Sequence, residues 1–161
     1  MSAVDDPSER LAALCRHAGI RVGVAESLTA GRVASEIGRG SGAQDWFQGG
    51  IVAYATEVKQ RLLGLLPDTD PCSGEAATQL ARAARVMFVA DVAVSTTGVG
   101  GPKPQDGHPA GTVYIGWATE QDAGAMLTQH DGDPADVVRR ATELAVLQLV
   151  SLAATGGSRS D

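Results

Sequence analysis

The sequence predicts an α/β fold in which helices cover both faces of a mixed β-sheet. Short apolar runs alternate along the chain with segments whose apolar residues recur at helical spacing. Two consecutive strand-like runs near the carboxyl end predict an antiparallel pair, so the sheet should be mixed. Hydrophobic residues make up 43% of the 161 residues and charged residues 20%, as is typical of a globular protein.

In the first half of the chain, local signals predict three helices and two strands. Asp6, Pro7 and Glu9 have the order of an N-cap, first position and third position in a capping box, and Gly19 ends that helix. The elements predicted after it are a strand over 20–25, a helix over 29–37, a strand over 50–54 and a helix that Thr56 caps and Gly64 ends.

The second half contains two longer helices and the predicted strand pair. Ser73 is expected to cap a helix that has Glu75 in its first turn and runs to about Phe88. The segment 98–111 has five glycines and three prolines, so it must be a loop. The remaining predictions are strands over 91–96, 112–119 and 125–129, a helix from Asp133 to about Ala154 and a frayed tail. With no repeat or linker, residues 1–161 are expected to form one domain with its core over about 8–154.

Composition and motifs argue against several classes of function. A net charge of −6 disfavours a nucleic-acid surface, although local N–H groups can still bind a small phosphorylated ligand. Cys15 and Cys72 are expected to be unpaired thiols, and the scattered histidines predict no metal site. The polar beginning of the chain and the lack of a long apolar run predict a cytoplasmic protein without a membrane partner.

Glu26, Ser27 and Thr29 lie where a strand is expected to turn into a helix, which is where open α/β sheets bind ligands. Ser27 can be a nucleophile, a proton relay or an N-cap, and the residue type alone favours the cap. Lys59 follows Tyr54 by five residues. It is either a general base whose pKa is lowered or a surface lysine of its helix, and these alternatives stay open.

A glycine-rich segment, Thr96–Pro102, directly follows a predicted strand. Glycines let the backbone approach an anion closely, and consecutive N–H groups can bind it. The segment is neither a Walker A loop nor a dinucleotide fingerprint, so an ordinary loop is the alternative. Arg139 and Arg140 could pair with a phosphate or face solvent, and His108 has no visible partner.

Five sequence blocks together carry a family resemblance. They are AES-x-T-x-G from Ala25, GG-x-VAY-x-x-EVK-x-RLLG from Gly49, TG-x-x-GP from Thr97, PxGTVYI from Pro109 and a GD…RRAT segment from Gly132. In this order, over about residues 8–154, they resemble the C-terminal domain family of the competence- and damage-inducible protein CinA. That family includes stand-alone nicotinamide-nucleotide amidases.

The resemblance implies a three-layer α/β/α domain, commonly a homodimer, that needs no cofactor and no metal. Its amidase members hydrolyse the carboxamide of nicotinamide mononucleotide, giving nicotinic acid mononucleotide and ammonia for pyridine nucleotide salvage. By resemblance, Lys59 is the general base, and Tyr54 and Ser27 complete its hydrogen-bonded site. The substrate-binding residues implied in the same way are Glu26, Thr29, Gly31, Gln44, Gly50, Thr97, Gly98, Gly101 and Arg139.

The chain departs from the family pattern at Gln44. Amidases of the family usually read G-S-S or G-A-S there, and the last serine is the expected nucleophile. An amide cannot supply that alkoxide, so Ser27, or Ser41 with a rebuilt loop, would have to replace it. This interpretation predicts that a Gln44→Ser variant deamidates nicotinamide mononucleotide far faster than the parent chain.

Two further departures concern the expected ligand pocket. The run KPQDGH replaces the usual extra glycines of the glycine-rich loop, so phosphate contacts should differ, and Leu28 and Ala30 should narrow the pocket. Three hypotheses result: an active amidase, a catalytically silent nucleotide-binding relative, or an interaction module whose function is its dimer surface. The residues retained at Tyr54, Lys59, Thr97 and Gly98 favour a working ligand pocket over the third.

Overall fold

The computed structural model describes residues 5–156 as six helices and five strands. The helices are α1 (Pro7–Ala18), α2 (Arg32–Gly38), α3 (Ala43–Trp46), α4 (Thr56–Leu63), α5 (Gly74–Met87) and α6 (Pro134–Gly156). The strands are β1 (Val22–Glu26), β2 (Phe47–Val52), β3 (Val92–Gly98), β4 (Thr112–Ala118) and β5 (Ala123–Gln129).

The five strands form one mixed sheet in the order β2-β1-β3-β4-β5. Strand β1 pairs in parallel with both β2 and β3, and β4 and β5 continue the sheet antiparallel, as the sequence predicts. Glu26 is in register with Val52 on one side and Thr96 on the other. The carboxyl ends of the three parallel strands therefore lie along one edge of the sheet.

Aliphatic side chains fill the space between the sheet and the helices on each face. On one face, α1, α2 and α6 pack against side chains such as Val24 and Val94. On the other face, Leu63 of α4 and Leu80 of α5 pack against Ala25 and its neighbours. These layers confirm the predicted three-layer α/β/α architecture, and small residues allow the helices to approach the sheet closely.

Most predicted elements lie within three residues of the observed ones, but three predictions about helix starts were wrong. Glu9 does not complete a capping box, because its carboxylate accepts hydrogen bonds from the backbone N–H and the hydroxyl of Ser41. Thr56 is the first residue of α4, and the N-cap is Ala55. Helix α2 begins at Arg32 rather than Thr29, with Gly31 as its N-cap.

The last helix extends further than its sequence signals indicate. The frayed tail was expected from residue 155, but Thr155 and Gly156 still belong to α6. The rest of that tail, like residues 1–4, lies outside the described residues. Within residues 5–156, no helix is both long and apolar enough to span a membrane.

Candidate functional site

A polar cavity of about 260 Å³ opens at the carboxyl ends of the parallel strands. The connection from β1 to β2 carries α2 over one face of the sheet, and the connection from β2 to β3 carries α4 and α5 over the other. Strand β1 lies between β2 and β3, so its carboxyl end is the point where the strand order reverses, which is where open α/β sheets bind ligands. Ser27 follows β1 directly and lines this cavity.

A buried hydrogen-bond network fixes the backbone on which Ser27 is mounted. The Glu26 carboxylate accepts from the Thr29 hydroxyl at 2.6 Å and from the N–H groups of Val33 and Ala34 at 2.9 and 3.0 Å. Thr29 Oγ1 lies 2.7 Å from Thr96 Oγ1, so Thr96 donates to it. The Ser27 N–H donates to the Thr96 carbonyl at 3.1 Å.

This network corrects the expected role of Ser27 as a helix cap. The first amide groups of α2 donate to Glu26 instead, so the serine hydroxyl is not needed there. Ser27 is buried, and its hydroxyl makes no hydrogen bond to another residue within 5–156. A hydroxyl held in place without a partner beside a polar cavity is available to a ligand.

Lys59 is the buried cation of the cavity. It projects from α4 and is only 5% exposed, so it is not the surface lysine that its sequence position also allowed. No ion pair or hydrogen bond joins its amine to the rest of the described chain. Burial lowers the pKa of Lys59, and nearby Cys72 opposes that shift only in part. The amine is therefore more easily deprotonated than an ordinary lysine and can act as a base.

Cys72 lines the same cavity, but its chemistry differs from that of a nucleophile. Burial, with a smaller contribution from Asp70, raises the pKa of its thiol to about 11. The thiol therefore stays protonated near neutral pH, and it is the thiolate that attacks carbonyl groups. Cys72 and Cys15 are both free cysteines, as the sequence predicts.

Two contacts hold the loops that form the cavity walls. The Thr97 hydroxyl donates to the Pro71 carbonyl at 2.6 Å, which joins β3 to the loop before α5. His108 Nε2 lies 2.7 Å from Asp70 Oδ2, which joins the glycine-rich loop to the same segment. His108, for which the sequence offered no partner, thus links two walls of the cavity.

Replacing Thr97 with valine tests the first of these contacts. Valine matches threonine in shape but leaves the Pro71 carbonyl without its donor. We expect the free energy of unfolding to fall by about 1–3 kcal/mol, the cost of an unsatisfied buried polar group. Urea denaturation measures the change. A Thr155→Val variant is the control, because the Thr155 hydroxyl is exposed near the end of α6 and should lose much less.

The structure brings six of the predicted site residues to one cavity. They are Ser27, Tyr54, Lys59, Thr97, Gly98 and Gly101. Tyr54 is 68% exposed, which places it at the mouth. Gly98 allows a close backbone approach, because a side chain there would lie 2.3 Å from the Thr112 carbonyl oxygen.

The structure does not bring the other predicted residues to this cavity. Glu26 and Thr29 lie beneath Ser27 as its buried support, and Gly31 has a φ of 99° at the start of α2. At Gly50, an added Cβ would lie 2.7 Å from Val24, so this glycine allows β2 to pack closely. Arg139 lines a different cavity, of about 570 Å³, between α1, α2 and α6.

Gln44 lies at the opposite edge of the sheet from Ser27. It is exposed on α3, just before the amino end of β2, where Phe47 is in register with Val22. Strand β1 is roughly 13 Å long at 3.3 Å per residue. This length separates the amino end of β2, near Gln44, from the carboxyl end of β1, which carries Ser27. Ser41 does not line the cavity either, and its hydroxyl donates to Glu9 on α1.

Several lining residues of the cavity were not assigned to the site from the sequence, including three with functional side chains. Cys72, Lys103 and Asp106 line the cavity from loops that have no recognisable motif. Lys103 and Asp106 belong to the run that replaces the usual glycines, so this departure was the available signal. Asp106 has a positive φ of 50° in the tight turn between Gln105 and His108.

Comparison with known proteins agrees with this fold. Over 122 residues the chain is 41% identical to a Bacillus velezensis protein named for competence and damage induction, covering 72% of this chain but 29% of that protein. The chain therefore spans less than a third of that relative. The crystal structure of a CinA superfamily protein from Enterobacter cloacae matches with a TM-score of 0.87 at 28% identity, covering 91% and 90% of the two chains.

A second solved structure covers almost the whole of both chains. It is the competence or damage-inducible protein of Enterobacter asburiae, with a TM-score of 0.89 at 26% identity over 95% of this chain and 99% of the other. Residues 4–153 match the family described as the CinA C-terminal domain. With sequence, fold and the predicted motif order in agreement, the chain belongs to the CinA C-terminal domain family.

Proposed function

We propose that this chain hydrolyses the carboxamide of nicotinamide mononucleotide to nicotinic acid mononucleotide and ammonia, as the family's amidases do in pyridine nucleotide salvage. One observation carries the proposal. Lys59 is a largely buried lysine with a lowered pKa and no ion pair within residues 5–156, and it lines the same cavity as the hydroxyl of Ser27. A serine nucleophile needs a base of this kind.

In the proposed reaction Ser27 is the nucleophile and neutral Lys59 the base. The Ser27 oxygen attacks the carboxamide carbon, and Lys59 takes the hydroxyl proton. The lysine then gives that proton to the leaving nitrogen, so that ammonia departs and an acyl-serine ester remains. Water attacks the ester with the same base, which releases the carboxylic acid and restores the serine.

Donors for the developing oxyanion are available in the glycine-rich loop. The N–H groups of Gly100 and Gly101 make no hydrogen bond to another described residue, and both residues line the cavity. A side chain at Gly100 would meet open space, so a substrate can approach this backbone. Preorganised N–H groups of this type stabilise tetrahedral intermediates.

The alternative function is nucleotide binding without turnover, and it depends on Gln44. In one chain, Gln44 is exposed and lies at the other edge of the sheet from the cavity. The amide at this position therefore removes no nucleophile from the cavity of the same chain. For this reason we favour turnover with Ser27 as the nucleophile.

The direct test is ammonia release from nicotinamide mononucleotide by the purified protein, followed with a coupled assay. Turnover that disappears in a Lys59→Ala variant would support the proposal. Thermal stabilisation by the nucleotide without any ammonia would indicate the silent binding relative instead. If the nucleotide produces neither ammonia nor thermal stabilisation, it is not the ligand of this cavity.

The pH dependence of turnover gives a separate prediction. Lys59 must be neutral to accept a proton, so kcat/KM should rise with pH through the pKa of this lysine. Because burial lowers that pKa, the midpoint of the rise should lie below the ordinary lysine value of 10.5. A rate profile that is flat from neutral pH to pH 10 would contradict this role of Lys59.

A further inference from the structure

The cations of the cavity are an unusual selection from this sequence. The chain has two lysines, Lys59 and Lys103, and both line the cavity. The rest of its 13 lysines and arginines are arginines, and no arginine within residues 5–156 lines the cavity. The two lysines come from separate elements, α4 and the glycine-rich loop.

The arginine expected to hold a phosphate is not available at this cavity. Arg139 lines the other cavity, and its guanidinium lies 3.2 Å from Glu143 and 3.5 Å from Asp136. Lys59 is needed as a neutral base under the proposed function. Lys103 is then the remaining positive side chain of the lining, and it makes no ion pair within residues 5–156.

We propose that Lys103 is the residue that makes this site specific for a phosphorylated ligand, by binding the 5′-phosphate of the nucleotide. This inference rests on the proposed function, because it assigns the phosphate end of the same site. A lysine ammonium is a compact charge on a flexible stem, suited to an anion at the mouth of a cavity. Lys103 is exposed, so its ammonium can reach a phosphate there.

The carboxylates of the lining increase the importance of this one cation. Asp70 is already engaged by His108 and by the Cys72 N–H, while Asp106 makes no ion pair within the described chain. Without Lys103, a phosphate at this wall would meet Asp106 with no opposing cation. The cavity volume of about 260 Å³ lies just below the roughly 300–1,000 Å³ of typical ligand sites, which fits a mononucleotide better than a dinucleotide.

The test compares two ligands that differ only in the phosphate. Calorimetric dissociation constants for nicotinamide mononucleotide and nicotinamide riboside are measured for the Ser27→Ala protein, which should not consume either ligand, and for the same protein carrying Lys103→Gln. Lys103→Gln should weaken mononucleotide binding about tenfold or more, the usual effect of a charge-assisted hydrogen bond. Riboside binding should change less than about twofold. An Arg61→Gln control removes an equal charge from an exposed residue of α4 outside the lining.

The outcomes separate this inference from the proposed function. Equal losses for both ligands, or equal losses in the Lys103→Gln and Arg61→Gln proteins, would overturn the role of Lys103 even if ammonia is released. If Lys103→Gln weakens binding of the mononucleotide alone and the parent chain releases no ammonia, the role of Lys103 would be supported and turnover refuted. No binding of the mononucleotide would overturn both.

Chemical labelling gives a second readout that does not depend on a substitution. Acetylation with an amine-reactive ester, followed by peptide mass spectrometry, measures the reactivity of Lys103 against the amino terminus as an internal reference. Nicotinamide mononucleotide should protect Lys103 several-fold, and nicotinamide riboside should not. Equal protection by the two ligands would contradict a phosphate contact.

Discussion

Replacing Lys59 with methionine is expected to abolish ammonia release and, at the same time, to make the protein more stable. The loss of the general base should lower kcat about 10²–10⁴-fold. Methionine keeps the length of the side chain but removes the amine of a largely buried residue that lines the cavity. Because the pKa of Lys59 is lowered, its charged form is less stable in the folded chain, and its removal should raise the free energy of unfolding at neutral pH by about 1.4 kcal/mol for every pH unit by which that pKa is lowered.

The gain in stability should depend on pH in a direction that identifies its cause. The pKa of Lys59 is lower in the folded chain than in the unfolded chain, so the unfolded state binds more protons between the two values. The parent chain therefore becomes more stable as pH rises towards 10.5. The advantage of the methionine variant should be largest near neutral pH and should shrink through that window.

Thermal denaturation at several pH values measures this effect, with about 2–4 °C expected for each kcal/mol. The other lysine provides the control, because Lys103 is exposed and its replacement by methionine should not raise the melting temperature. A Lys59→Met protein that is less stable than the parent at neutral pH would show that the amine has a stabilising partner. The proposed base would then have to be reconsidered.

The second large effect concerns the two candidate positions for the nucleophile. Ser27→Ala should reduce turnover by at least about 10³-fold, because removing a nucleophile eliminates the covalent pathway. Gln44→Ser should leave turnover within about twofold of the parent. This reverses the expectation from the sequence, since the structure places Gln44 at the edge of the sheet remote from Lys59.

The pair of variants distinguishes a site within one chain from a site shared between chains. If Gln44→Ser accelerates ammonia release strongly, the α3 residues of a second copy must reach the cavity. If Ser27→Ala keeps full activity, Ser27 is a supporting hydroxyl and another nucleophile must be sought. Circular dichroism of each variant checks that the fold is intact before rates are compared.

Local signals in the sequence predicted most of the fold. Gly19 and Gly64 end their helices in the left-handed conformation, and Asp6 and Ser73 accept the N–H bonds expected of N-caps. Helix α2 was placed three residues early, because its amides are capped by Glu26, a residue inside the preceding strand. No local pattern of N-cap residue types indicates such a cap.

The site was only partly predictable, for reasons of geometry. Motifs identified Ser27 and Lys59, but they could not show which face of α6 meets the cavity. Pro134 and Val138, four residues apart, line it, and Arg139 lies about 100° further round the helix. Lys103 was missed because no motif gives the conformation of its loop, which the bridge between Gln105 and His108 determines.

The parallel pairing of β1 with β3 has a consequence for how this protein becomes functional during folding. Glu26 lies beside Thr96, its partner seventy positions along the chain, and the cavity wall also needs the loop before α5 and the start of α6. Contacts between distant segments form slowly, because a long loop must first close. Helices can therefore be present in a folding chain that still has no site. We expect nucleotide binding to be among the last properties that the chain acquires and among the first that partial unfolding removes.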